Sequence, residues 1–341
     1  MEPVSLPAPT LIEESNLTDW KVIGSGGFGQ IYSARHHKWC CSVAIKLLHY
    51  DDGTNGSLLR EMDMMRIGGS PFVIQVLGVF KGRPASSGLS VQLGLVMELM
   101  ERGSLACLQK TLCETPPWPL VFRLAHQVAL GINFLHTLSP SVLHLDLKPS
   151  NVLLDSSLNA KLTDFGLARC YHSTTRLSKK VDREEGGTNS YMPPEAFKVT
   201  YSPTRASDIY SYGILLWSIV TGKQPYADAI SSIVRFRIPL GDRPSLDEIQ
   251  SQAAGIAGLR RLTNLMEKCW ETKPNLRPTS HECTTETEEL YKMHRHTIND
   301  AVFQVLKKLD KKEEEEGVTQ QFQRVHISQA SGSVLMLNLL N

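Results

Sequence analysis

Three polar residues at fixed intervals stand out first: Asp146, Lys148 and Asn151, within His144-Leu145-Asp146-Leu147-Lys148-Pro149-Ser150-Asn151. A second aspartate follows in Asp164-Phe165-Gly166. A carboxylate, a cation and an amide on one short loop, with another carboxylate one hairpin away, are the equipment for in-line transfer of a phosphoryl group. Asp146 is suited to accept the proton of an incoming hydroxyl, and Lys148 to hold the γ-phosphate. Asn151 and Asp164 would chelate the Mg²⁺ ions that neutralise charge between phosphates. Ordinary polar turn residues would account for one such motif, but not for both at this spacing.

A phosphate donor needs a cradle. Gly24-Ser25-Gly26-Gly27-Phe28-Gly29 lies between the apolar segments Val22-Ile23 and Ile31-Tyr32. Its Gly-x-Gly-x-x-Gly spacing is shared with dinucleotide folds, which open a helix after the last glycine. Here Ile31-Tyr32-Ser33-Ala34 reads as a second strand, so the expectation is a hairpin whose glycines close over phosphates, with Phe28 capping its tip. In Val43-Ala44-Ile45-Lys46, strand alternation puts Val43, Ile45 and Leu47 on one face and Ala44 and Lys46 on the other. Ala44 leaves room for adenine, and Lys46 reaches the α- and β-phosphates. A helix over Ser57 to Ile67 carries Glu61, expected to pair with Lys46, and Met65 on the same face. Strands over Ile74 to Phe80 and Val91 to Glu98 then lead to a hinge. Adenine would bond to backbone groups of Glu98 and Met100, with Met97 at the back of the pocket and Leu153 as its floor. The expected ATP-binding set is therefore Ile23, Gly24, Ser25, Gly26, Gly27, Phe28, Gly29, Ile31, Ala44, Lys46, Met97, Glu98, Met100 and Leu153.

Beyond the hinge the periodicity becomes helical. Leu124, Val128, Ile132 and Leu135 recur on one face of a helix from Pro119 to Leu138. A helix opening at Ser207 is apolar all round to Val220 and stops at Gly222, with Asp208 tying the catalytic loop from inside. Leu259, Leu262, Met266 and Trp270 mark another helix. Glu195, in Tyr191-Met192-Pro193-Pro194-Glu195, is expected to meet Arg277 as a buried ion pair. The fold class is α+β: a small antiparallel β lobe with one helix, about 17–100, and a larger, mainly helical lobe, about 101–290. Residues 1–16, rich in proline, read as a flexible N-terminus, and 291–341 as a C-terminal helix and tail, the helix covering Ile298 to Leu309.

The 341 residues carry a formal net charge of +1, which does not favour nucleic acid as the main partner. No apolar run approaches a membrane span, and the first ten residues lack the basic and apolar regions of a signal peptide. The seven cysteines, at 40, 41, 107, 113, 170, 269 and 283, have no zinc-ligand spacing and suggest reduced thiols in the cytosol. Cys170, just past Asp164-Phe165-Gly166, reads as a loop cysteine.

Over about residues 17 to 290 the chain resembles the tyrosine-kinase-like branch of protein kinases, and within it the receptor-interacting protein kinases. The resemblance rests on Gly26-Gly27-Phe28-Gly29, Ala34-Arg35-His36-His37-Lys38-Trp39, Pro117-Trp118-Pro119-Leu120, His144 to Asp155, and Arg205-Ala206-Ser207-Asp208-Ile209-Tyr210-Ser211. The motif spellings point first to member 3 of that group and then to member 2. The resemblance implies an ATP- and Mg²⁺-dependent serine/threonine kinase acting on protein substrates, with dual specificity left open. It also implies a cytoplasmic role in innate-immune, inflammatory or necroptotic signalling. Implied partners are other receptor-interacting kinases or adaptors, together with a second copy of the chain. An alternative stays open: a kinase-fold scaffold that signals by homotypic assembly, with catalysis dispensable.

Two features depart from the family pattern. Leu145 stands where many kinases carry an arginine that grips an activation-segment phosphate, which leucine cannot do. Family members also commonly continue into a homotypic-motif, caspase-recruitment or death domain, and 291–341 is too short for a death-type domain. A truncated or short form is therefore one expectation. Val91-Gln92-Leu93-Gly94 has the letters of the homotypic motif's core, but falls within a predicted strand.

Overall fold

The computed structural model describes residues 10–26, 29–47, 69–84, 91–164, 169–170 and 188–315. Strands β1 (Leu11–Glu13), β2 (Leu17–Gly26), β3 (Gly29–His36), β4 (Cys41–Leu47), β5 (Val76–Gly82) and β6 (Gln92–Glu98) form one sheet in the order β1-β5-β6-β4-β3-β2. All neighbours are antiparallel except β1 and β5, which run parallel with Ile12 opposite Phe80. The segment after the glycine motif is a strand, as the hairpin reading requires: Gly26 pairs with Gly29 and Gly24 with Ile31.

Period-2 alternation sorts the side chains. Val43, Ile45 and Leu47 join Tyr32, Phe80 and Val96 in a cluster on one face of the sheet. Leu95 and Met97, flanking Val96, instead join the large core below. Trp20 closes the small-lobe cluster by meeting Tyr32 and Phe80 edge-on, at centroid distances of 5.6 and 5.3 Å.

Strand β1 corrects one expectation. Residues 11–16 are not a flexible lead-in but a strand followed by a short 3₁₀ turn (Glu14–Asn16). Ile12 is buried in the small-lobe cluster, Thr10 O accepts the Val79 N–H at 2.9 Å, and Glu14 Oε2 accepts the Arg83 N–H at 3.1 Å. Gly78 makes room for this: a Cβ there would lie 2.4 Å from Thr10 O and 2.8 Å from Ile12 Cδ1.

The larger lobe begins with α1 (Leu105–Leu112), whose Ser104 side chain accepts from the Cys107 N–H. Helix α2 (Trp118–Thr137) starts with proline in its first turn, where no N–H is missed. It delivers the chain to β7 (Val142–Leu143) and the catalytic loop, followed by the hairpin of β8 (Val152–Leu154) and β9 (Ala160–Leu162). Strand β10 (Arg169–Cys170) pairs antiparallel with β7, so the chain past Asp164 returns beside the strand that feeds the loop.

Helix α3 (Arg205–Thr221) is buried on nearly every side and ends at Gly222, whose φ of 69° is the left-handed cap conformation. Around it stand α4 (Ser231–Arg237), α5 (Asp247–Gln252), α6 (Leu259–Cys269) and α7 (Ser280–His294). A final helix, α8, covers residues 298–315, overlapping the helix expected from Ile298 and extending past Leu309. The large core is continuous from Leu95 and Met97 through Met100 and Leu105 into α2 and α3, so apolar packing passes directly beneath the hinge.

Candidate active site

The catalytic loop is held from below by one buried carboxylate. Asp208, on the first turn of α3, is 1% exposed. Its Oδ1 accepts the Leu145 N–H at 2.8 Å, and its Oδ2 accepts the His144 N–H at 2.9 Å and bonds His136 Nε2 at 2.8 Å. Burial pushes the Asp208 carboxyl up, but the bond and charge of His136, the nearby His144 and the Leu145 N–H outweigh it and hold the group below its ordinary value. Leu145 sits at φ 65°, a left-handed conformation that turns its N–H and that of His144 toward the same carboxylate. His144 is fully buried and its Nε2 bonds Thr163 O at 3.0 Å, the place of a core histidine rather than a base.

Above this anchor the predicted polar residues converge. Asp146 Oδ2 is 3.0 Å from Lys148 Nζ and accepts from Asn151 Nδ2 at 2.8 Å; the same Nδ2 reaches Asp146 O at 2.8 Å. Thr163 N–H donates to Asn151 O at 3.0 Å, so the β8–β9 hairpin fixes Asn151 relative to Asp164. Asp164, at φ 62°, directs Oδ1 to Lys46 Nζ at 3.2 Å. Lys46 is 6% exposed and lies in the register Ile31–Lys46–Leu95, at the centre of the sheet. Glu61, Met65, Gly27, Phe28, Phe165 and Gly166 lie outside the described residues, as do the side chains of Ser25, Gly26 and Gly29.

The described residues expected around adenine stand on neighbouring elements of the two lobes. Ala44 is cross-strand neighbour to Met97, which sets a small residue beside a bulky one. Leu153, on β8, faces Ser104 across an isolated bridge just before α1. Ile23, just before the glycine motif, is half exposed. Among the described residues, a Cβ on Gly24 would meet nothing nearer than Ile31 Cδ1 at 3.8 Å. For a metal, Asn151 with Nδ2 committed to Asp146 offers its amide oxygen, and Asp164 offers carboxylate oxygen. These are the hard donors that Mg²⁺ takes in small number alongside phosphate oxygens. Among the described residues no group of three or more His, Cys, Asp or Glu forms a larger metal cage.

The hinge shows contacts that motif reading did not reveal. The Glu98 side chain turns away from the cleft: Oε2 is 2.6 Å from Lys161 Nζ, and Oε1 accepts the Gln75 N–H at 2.8 Å. The Glu98 backbone N–H donates to Gln75 O at 3.2 Å. His136 was also missed; it occupies the last turn of α2, where apolar periodicity gives a histidine no separate signal. Below the site, Arg277 and Glu195 meet as expected in a two-pronged pair, Nη1–Oε1 2.7 Å and Nη2–Oε2 2.8 Å. The guanidinium also donates to the carbonyls of Glu271, Ala206 and Thr272.

Comparison with known proteins agrees with this geometry, since the protein kinase domain family matches residues 17–287. The chain belongs to the protein kinase family. It is 38% identical over 289 residues to receptor-interacting serine/threonine-protein kinase 4 of Mus musculus, covering 82% of this chain and 35% of that protein. It is 36% identical over 302 residues to receptor-interacting serine/threonine-protein kinase 3 of Homo sapiens, covering 88% and 56%. With receptor-interacting serine/threonine-protein kinase 2 of Bos taurus it shares 35% identity over 320 residues, covering 90% and 57%. The resemblance to the receptor-interacting group therefore holds, and member 4 stands beside the two that the motif spellings suggested. The chain spans between 35% and 57% of the length of these relatives.

Proposed function

We propose that this chain is an ATP-dependent serine/threonine protein kinase. The observation that carries the reading is the convergence of two separate pairs: Asp146 held between Lys148 and Asn151, and Lys46 joined to Asp164 across the cleft at 3.2 Å. Catalysis of this kind is positioning plus charge neutralisation, and both need groups fixed in advance. Asp146 accepts the proton of the substrate hydroxyl, with Asn151 Nδ2 orienting its carboxylate. Lys148 steadies the transferred phosphoryl group from the substrate side. Lys46 binds the α- and β-phosphates, and the backbone of Glu98 and Met100 binds adenine. Asn151 and Asp164 would hold Mg²⁺, which would supply positive charge against the phosphates. Lys148, two residues past Asp146, favours serine or threonine as the acceptor.

A setting in innate-immune, inflammatory or necroptotic signalling in the cytoplasm is supported by the likeness to receptor-interacting kinases. The free thiols at 40, 41, 107, 113, 269 and 283 suit a reducing compartment.

Autophosphorylation with labelled ATP and Mg²⁺ tests the proposal. Label is expected on serine or threonine of the native chain, and Asp146→Asn should lower the rate about 10²–10⁴-fold while nucleotide still binds. A native chain that binds nucleotide but takes up no label, alone or with added protein substrates, would sink the proposal and favour the scaffold.

A further inference from the structure

Helix α8 lies beyond the matched residues 17–287, yet it packs against the body of the molecule. Ala301, Val305 and Leu309, spaced four apart on one stripe, are buried at 4%, 1% and 7% exposure. Ile298, Val302 and Leu306 flank them and pack on the large core. From the second half of the helix, polar side chains reach α1 and the hinge. Lys308 Nζ pairs with the Glu114 carboxylate, and Lys312 Nζ donates to Thr111 O. Asp310 Oδ1 accepts from Arg102 Nη1 at 2.8 Å, and Glu313 Oε1 lies 3.8 Å from the same nitrogen.

Arg102 is well placed to transmit this hold. It follows Met100 by two residues, its N–H donates to Leu154 O at 3.1 Å, and Leu154 N–H returns to Gly103 O at 2.8 Å. Gly103 N–H closes the turn on Met100 O at 3.2 Å. The contact with α8 therefore acts on a turn bonded to both the adenine-facing backbone and the strand that carries Leu153. The ion pairs are largely exposed and contribute little alone; the apolar stripe keeps the helix seated, and the Arg102 contact connects it to the hinge.

We infer that α8 is a strap energetically coupled to the nucleotide cleft, so that seating of the helix and occupancy of the cleft favour one another. The inference rests on the reading of Met97 to Met100 and Leu153 as the nucleotide pocket. Coupling of this kind is reciprocal. Whatever peels α8 away lowers nucleotide affinity, and bound nucleotide makes α8 harder to peel.

The test uses the full chain, a fluorescent ATP analogue and amide hydrogen exchange. Val305→Asp places a charge in the buried stripe and should weaken analogue binding about fivefold or more, with faster exchange over 98–104. Asp310→Ala leaves the stripe intact and should shift both readouts the same way by a smaller factor. In the native chain the analogue should slow exchange over 298–315. Should Val305→Asp fail to fold, Asp310→Ala and the native-chain protection decide the matter. Native affinity in the variants, with exchange over 298–315 indifferent to analogue, overturns the coupling alone. A native chain that binds no analogue overturns the nucleotide reading and the coupling with it.

Discussion

At the scale of single residues, the molecule depends on charges placed where water cannot relax them. Asp208 is the clearest case: one buried carboxylate receives two backbone N–H groups of the catalytic loop and the imidazole of His136. Because its folded value lies below the ordinary 3.8, its contribution to stability is fully present above that pH and is lost as pH falls through the folded value. Asp208→Asn should therefore cost about 3–5 kcal/mol at pH 7, in urea unfolding, and the gap to the native chain should narrow below pH 3.8. A gap that stays constant with pH would show that the carboxylate is not the titrating anchor. Arg277 makes a parallel case, with its guanidinium side chain 0% exposed and bonded to Glu195 and three carbonyls. Arg277→Met strands those acceptors and should also cost about 3–5 kcal/mol, read as a lowered unfolding midpoint. The grouping of Lys46 with Asp164, and of Asp146 with Lys148 and Asn151, was legible in the sequence because motif spacing along the chain sets which side chains meet. His136 was not, because its partner lies on another helix and nothing local distinguishes it from a helix-end polar residue.

At the scale of elements, legibility followed the length of the pattern. Helices α2 and α3 were expected to within two residues, since each has several turns of periodicity and a proline or glycine at a boundary. The β2–β3 hairpin was legible from strand residues on both sides of the glycines. Strand β1 escaped notice because three residues cannot show an alternation, and its partner lies far along the chain. The signal that would have revealed it sits in the partner: Gly78 and Gly82 interrupt an otherwise apolar strand, and glycine inside a strand marks close approach of another backbone. Gly78→Ala should destabilise the protein by about 1–3 kcal/mol, since the nearest obstacle is the backbone oxygen of Thr10 and cannot rotate away. Ile12→Ala, which leaves a cavity in the small-lobe cluster, should cost about 2–5 kcal/mol in the same unfolding measurement. If neither substitution shifts the midpoint, β1 adds nothing to the small lobe.

At the scale of the whole molecule, the large core reaches up to Leu95 and Met97 of the sheet, while the small lobe keeps a cluster of its own. The site forms where the sheet above meets the loop below. The lobe order and the hinge were legible because hydrophobic periodicity changes from two to helical at Glu98 to Leu105. The attachment of α8 was not, since sequence shows an amphipathic helix without showing what it covers. Both β1 and α8 lie outside residues 17–287, and each buries apolar side chains against that span. The borders of the matched family domain are thus narrower than those of the packed unit. A fragment cut to 17–287 would expose an unpaired strand edge along β5 and a bare apolar strip where Val305 and Leu309 had lain. Such a fragment should self-associate at concentrations where the full chain scatters little light, so preparations trimmed to those borders would report on colloidal behaviour as much as on enzyme.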